Sequence, residues 1–148
     1  MARTLERLRI ATDKGWPMKP PGRTIQNPLT GEHLTFLETA AETEGRSLRA
    51  EVRIEPGGFV PRHLHLRQDE HLEVLAGSVR FRSRGEDRVL AAGDTAVTTR
   101  RRFHRVANAG AGEAVFVLEV LPARHIEQTM RSMFAIGRLL RPLARSRG

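Results

Sequence analysis

The sequence predicts an all-β, single-domain protein, a sandwich or small barrel with an N-terminal arm and a C-terminal helix, and three observations carry that prediction. At 148 residues the chain is long enough for one domain with a single core, and no internal repeat divides it. Short apolar and polar alternations recur along the chain, separated by Gly, Asp and Asn turns, as in closed or double-sheet β architectures. The alternation stops after residue 122, where the spacing of apolar residues becomes helical.

Residues 1–23 read as a peripheral arm. Leu5, Leu8 and Ile10 suggest a turn or two of amphipathic helix, and the prolines of WPMKPPG then forbid regular structure. Thr24 to Asn27 and His33 to Glu38 flank the turn sequence PLTGE and are expected to form a hairpin. Leu48, Ala50, Val52 and Ile54 alternate with Arg49, Glu51, Arg53 and Glu55, the period of a half-buried strand, which Pro56, Gly57 and Gly58 end. Further short strands are expected through VPRHLHL, EHLEVLAG, SVRFRSR, DRVLAAGD, AVTTR, FHRVANAG and EAVFVLEVLP, so that the barrel spans residues 24–122. In 123–148, Ile126, Met130, Met133, Phe134, Gly137 and Leu140 fall near one stripe of a helix, followed by a basic tail. That helix is expected to dock on the outside of the barrel or on a partner subunit.

Composition excludes several chemistries. The chain has no cysteine, so it has no disulfides, thiolate metal site or thiol nucleophile, and no tyrosine, so no phenolic acid or base. The formal net charge is +8, yet no helix-turn-helix pattern, aromatic platform or zinc finger accompanies it. Arg49, Arg53, Arg80 and Arg82 read as solvated strand faces, and no nucleic-acid partner is expected. The N-terminal sequence lacks the apolar core of a secretory signal and no segment is long and apolar enough to span a bilayer, so a cytoplasmic location is expected.

The candidate site lies in GGFVPRHLHLRQDEHLEVLAG, residues 57–77. In extended backbone His63 and His65 project to one side while Leu64 points away. Glu70 follows after a short turn, Leu66 to Asp69, that brings the next strand alongside. Two imidazoles and a carboxylate suit a borderline divalent metal. Asp69 and Glu73 read as solvated or outward residues, and His33, His71 and His125 as surface or hydrogen-bonded ones. A second segment, GDTAVTTRRRFHRVAN, residues 93–108, supplies His104 on a strand whose Val106 and Asn108 share its face.

Together these segments resemble the two motifs of the cupin family. The pattern G-x5-H-x-H-x4-E-x6-G fits Gly57, His63, His65, Glu70 and Gly77, and G-x5-P-x-G-x2-H-x3-N fits Gly93, His104 and Asn108. Thr99 and Arg101 stand where the second pattern has proline and glycine, a departure that bears on the rim of the pocket. The resemblance covers roughly residues 45–121. It implies a jelly-roll β-barrel that binds one metal internally, with His63, His65, Glu70 and His104 as ligands. Iron, manganese, nickel, zinc and copper all suit that ligand set.

Four ligands leave coordination positions for a small-molecule substrate. The absent tyrosine argues against the His/Tyr epimerases and thiol dioxygenases of this fold, and the 2-oxoglutarate oxygenase sequence H-x-D does not occur. The expected function is a metal-dependent oxidoreductase, a dioxygenase acting on a small enolic or aromatic substrate held by apolar walls: Val52, Ile54, Phe81, Val106, Phe116 and Leu118. A metal-dependent isomerase or polyketide-type cyclase, with Glu70 as a catalytic proton shuttle, is one alternative. A non-catalytic small-molecule-binding module is another. A homodimer is expected.

Overall fold

The computed structural model describes residues 23–145; residues 1–22 of the N-terminal arm and the last three residues of the basic tail lie outside the described residues. Ten strands follow in chain order: β1 Thr24–Asn27, β2 Glu32–Glu38, β3 Leu48–Ile54, β4 Phe59–His63, β5 Asp69–Ala76, β6 Ser78–Ser83, β7 Glu86–Ala91, β8 Thr95–Thr98, β9 His104–Asn108 and β10 Ala114–Leu121. One helix, α1, runs over Ile126–Arg145. All described strand pairs are antiparallel. They form a six-stranded sheet, β1-β2-β3-β10-β5-β8, facing a four-stranded sheet, β4-β9-β6-β7, in jelly-roll fashion.

Period-two alternation sets what each sheet buries. Leu48, Ala50, Val52 and Ile54 of β3 and Phe116, Leu118 and Val120 of β10 point inward and are buried together with Val79 and Phe81 of β6 and Val106 of β9. The predicted hairpin forms with Thr24 opposite Thr35 and Asn27 opposite Glu32, one residue longer in β2 than its sequence suggested. Asn108, at the end of β9, donates from Nδ2 to the carbonyls of Ile54 and Gly112 at 2.9 and 2.8 Å, which ties the two sheets at one end.

Two charged residues differ from the expectation of solvated faces. Arg49 is buried and its guanidinium lies 3.7 Å from Glu38. Glu73, on β5 between β10 and β8, is also buried. Neighbouring Leu37, Val117 and Leu75 form a small apolar cluster apart from the main core.

The helix does more than decorate the barrel. Ile126 and Phe134 are buried, Met130 is half-buried, and these positions, with Gly137, follow the i, i+4, i+8, i+11 stripe of one helical face. That face joins the main core, against β1. Gly137 permits the close approach, since a Cβ there would stand 2.0 Å from Asn27 Oδ1. Arg138 Nη1 donates to the Gln26 carbonyl at 3.2 Å. Met133 and Leu140, placed on the same stripe by their spacing, remain 48% and 44% exposed. No helix among the described residues is long and apolar enough to cross a membrane.

Gly77, which links β5 to β6, adopts φ 69°, and a Cβ there would lie 2.6 Å from the Glu113 carbonyl oxygen. Both the left-handed backbone and the backbone contact exclude a side chain. Gly77→Ala is therefore expected to lower folding stability by about 2–4 kcal/mol, combining left-handed strain with a forced backbone shift. Urea unfolding monitored by circular dichroism checks this.

Candidate metal centre and substrate cavity

Both sheets contribute to the cluster. His63 ends β4 and stands directly opposite His104, which opens β9, while Glu70 reaches in from β5 of the facing sheet. His65 lies two residues past β4, so strand alternation no longer governs it; the chain turns there, and Leu64 lines the cavity wall instead of pointing away. The ring centroids of His63 and His104 are 4.2 Å apart, and those of His63 and His65 are 5.0 Å apart. One ligand atom from each of His63, His65, Glu70 and His104 lies within 4.8 Å of the others. Donors about 2.1 Å from one ion are at most about 4.2 Å apart, so small side-chain rotations bring the set to bonding distance.

Backbone carbonyls aim two of the rings. His63 Nδ1 donates to the Pro61 carbonyl at 2.7 Å and His104 Nδ1 to the Arg102 carbonyl at 3.1 Å, which turns their Nε2 atoms toward the cluster. His65 Nε2 and Glu70 Oε2 are hydrogen-bonded at 3.1 Å. His104 Nε2 is 3.5 Å from Glu70 Oε1 and has no hydrogen-bond partner among the described residues, although its side chain is fully buried. A buried ring nitrogen left in this way is costly unless something binds it, and a divalent cation among three imidazoles and a carboxylate meets that need.

Electrostatics agree with that fit. Burial pushes the Glu70 carboxyl up, but the His104 and His65 imidazoles facing it outweigh burial and hold it well below the usual carboxylate range. Burial also lowers His63, reinforced by His104 and His65 against the pull of Glu70. His104 is lowered by burial, yet the Glu70 carboxylate and the Arg102 carbonyl raise it overall. Asp69 takes no part in orienting the rings; it accepts the Arg100 backbone N–H at 2.9 Å and pairs with the Arg100 guanidinium. His33 is bonded to Glu55 at 2.8 Å, away from the cluster.

The cluster opens into an apolar cavity of about 180 Å³. Val52, Val106, Phe116 and Leu118 line it as their alternation predicts, whereas Ile54 and Phe81 lie in the packed core beyond its walls. A further wall comes from residues that strand periodicity does not reveal: Ile126, Met130, Met133 and Phe134 of α1. Thr99 to Arg102 do not line this cavity at all.

Glu32, which the sequence pattern places in the PLTGE turn, is the second carboxyl in the cavity wall. Its place on β2, in phase with inward Leu34 and Phe36, is the signal that reveals it. It is buried and accepts a hydrogen bond from Thr30 Oγ1 at 2.5 Å. Burial pushes its carboxyl from 4.5 up to about 7, against the lowering effect of Thr30.

Residues 50–121 match the family model described as a cupin domain. The chain belongs to the cupin family. Among solved structures, KdgF from a Halomonas species superposes with a TM-score of 0.62 at 19% identity, covering 70% of this chain and 91% of that one. A predicted oxalate decarboxylase from Thermotoga maritima gives a TM-score of 0.62 at 23% identity, with coverages of 72% and 94%. A recombinant oxalate oxidase in complex with glycolate gives 0.57 at 30% identity; 64% of this cupin aligns, spanning 53% of the oxidase chain. Comparison with curated proteins gives no match.

A group with a raised folded pKa stabilises the fold below its unfolded pKa, and the contribution fades as pH climbs through the folded value. For Glu32, the folded state holds a proton between about pH 4.5 and 7 that the unfolded chain releases. Stability should therefore fall by up to about 3 kcal/mol across that window. Glu32→Gln should abolish the fall and make the variant more stable than its parent at pH 8, as measured by urea unfolding at pH 5 and pH 8.

Proposed function

We propose that this cupin is a metal-dependent oxidoreductase of dioxygenase type, acting on a small enolic or aromatic substrate inside the barrel. The observation that carries the reading is the position of the three-histidine, one-carboxylate cluster at an apolar cavity of about 180 Å³. His63, His65, Glu70 and His104 would hold one divalent transition metal: iron, manganese, nickel, zinc or copper. Bound there, such a metal supplies Lewis acidity and, where redox-active, access to oxygen chemistry.

The protein's own residues determine what enters. An engineered cavity of about 150 Å³ admits benzene, so this one suits a single ring or a short enolic chain in preference to a three-ring flavonol. Val52, Val106, Phe116 and Leu118 exclude water from the substrate body, and Met130 and Met133 can adjust to its outline. Two carboxyl groups, Glu70 and Glu32, face the cavity, and no arginine or lysine among the described residues lines it. That polarity disfavours a dianionic substrate and favours a neutral chelating one.

One observation favours a second reading, a metal-dependent isomerase or polyketide-type cyclase. Chemistry of that kind needs a proton donor and acceptor near neutrality, and Glu32 is pushed to about 7. Glu70, held as a carboxylate by its histidines, serves better as a ligand, so in this reading Glu32 takes the shuttle role first assigned to Glu70. The homodimer and cytoplasmic location expected from the sequence remain part of the proposal; Ile136 and Leu139 of α1, 54% and 75% exposed, offer apolar surface for such a dimer.

Metal analysis of protein purified without added metal should find about one equivalent per chain, lost in His63→Ala and His104→Ala. Retention of metal by both variants would remove the site assignment. Oxygen-electrode traces with catechols and 1,3-diketones should then show uptake by the iron-, copper- or nickel-loaded protein. No uptake, together with substrate turnover abolished by Glu32→Gln, selects the isomerase or cyclase.

A further inference from the structure

A second, larger concavity of about 810 Å³ shares no lining residue with the substrate cavity, although His104 of the cluster also reaches its lining, and it carries charge of one sign. Its lining includes seven arginines and, among the described residues, no carboxylate. Arg62, Arg82 and Arg105 come from β4, β6 and β9. Their positions alternate with buried Phe81, His104 and Val106, which puts them on the outer face of the four-stranded sheet. Arg84 follows at the β6–β7 turn, and Arg100, Arg101 and Arg102 complete the ring from the turn before β9.

This arrangement opposes its own formation. Arg82 stands directly across from Arg105, and like charges in that register destabilise a strand pair. Within the ring only Arg82 and Arg100 have acidic partners, Asp87 at 3.3 Å and Asp69 at 3.2 Å. The other five have no carboxylate partner among the described residues. Arg101 adopts φ 64°, a left-handed conformation that costs a non-glycine residue energy. Its backbone N–H donates to the His65 carbonyl at 2.6 Å, so the turn is rigidly placed.

Two of the guanidinium groups are held in position. Arg62 Cζ lies 4.0 Å from the centre of the Phe103 ring and Arg105 Cζ 4.8 Å from that of Phe59. Stacking fixes their planes at little entropic cost and leaves their N–H edges free to bind oxygen atoms bidentately. Ser83 adds a hydroxyl at the lining.

We propose that this arginine cleft binds a compact polyanion, the oligophosphate group of a small molecule, independently of the metal centre. Phosphate oxygens match the guanidinium fork, and several adjacent charges neutralise a cluster that the protein leaves uncompensated. Nucleic acid fits less well. Its single strands need a track with aromatic faces for stacking, and here the rings of Phe103 and Phe59 are occupied by guanidinium groups.

Isothermal titration calorimetry of the full-length, metal-loaded protein with inorganic tripolyphosphate tests this. Binding is expected with Kd below about 100 μM in 0.15 M salt. The double variant Arg82→Gln, Arg105→Gln should weaken it about 100-fold, with metal content unchanged. Arg101→Gly, which suits the left-handed backbone and removes only the side chain, should weaken it about 10-fold without loss of thermal stability. The charge-matched control Arg46→Gln, Arg124→Gln, outside the cleft, should bind as the parent does. No heat of binding at 1 mM tripolyphosphate would overturn the proposal, as would equal weakening by the control pair. So would tight binding of a 20-nucleotide single strand or of anionic lipid vesicles that tripolyphosphate does not displace.

Discussion

The buried Glu70 carboxylate, facing three imidazoles across the interior of the barrel, is the interaction around which the rest of this structure is arranged. A charge with its oxygens removed from water is tolerable only when fixed positive or hydrogen-bonding groups surround it. Glu70 comes from one sheet and His63 and His104 from the other, so the two sheets must hold their spacing and register for the cluster to exist. The carbonyls of Pro61 and Arg102 set the imidazole orientations, which makes the backbone of β4 and the β8–β9 turn part of the site. The same demand for a partner that leaves His104 Nε2 without a hydrogen bond makes a cation the natural completion of the cluster.

Around this polar centre the cavity is closed by an element that begins after the barrel has ended. The first half of α1 supplies Ile126, Met130, Met133 and Phe134 to the wall, and the contact of Gly137 with Asn27 lets the helix lie close on β1. Asn27 and Glu32 are paired across the β1–β2 hairpin and both reach the cavity, so the hairpin, the helix and the histidine–carboxylate cluster share one space. The size of the cavity and the protonation of Glu32 are therefore set by the helix as much as by the barrel. Helix and hairpin exclude water, and that exclusion is what raises the carboxyl.

The outer face of the four-stranded sheet follows a different logic. Strand alternation that turns His104 inward turns Arg105 outward, so β9 serves the histidine–carboxylate cluster on one side and the arginine cleft on the other. The turn with Thr99 and Arg101 in place of proline and glycine belongs to the cleft and not to the cavity rim. Arg101 retains the left-handed backbone that explains a glycine at this position, and adds a charge there.

Much of this was legible in the sequence because it depends on local rules. Period-two alternation marked β3 with its full extent, the PLTGE turn marked the hairpin, and the spacing of His63, His65, Glu70 and His104 marked the cluster that the fold brings together. Where local rules gave way, so did the reading: Leu64 lines the cavity because β4 ends at His63, and Arg49 and Glu73 are buried although their alternation suggested solvent. By itself the sequence determined the all-β architecture, the family and the donor set, since these follow from residue type and spacing along one chain. Only the tertiary structure decided that α1 closes the cavity, that Glu32 sits within it, and that arginines from three strands and two turns converge on one cleft. Each of those depends on how far apart distant segments lie in space, a quantity that spacing along the chain does not contain.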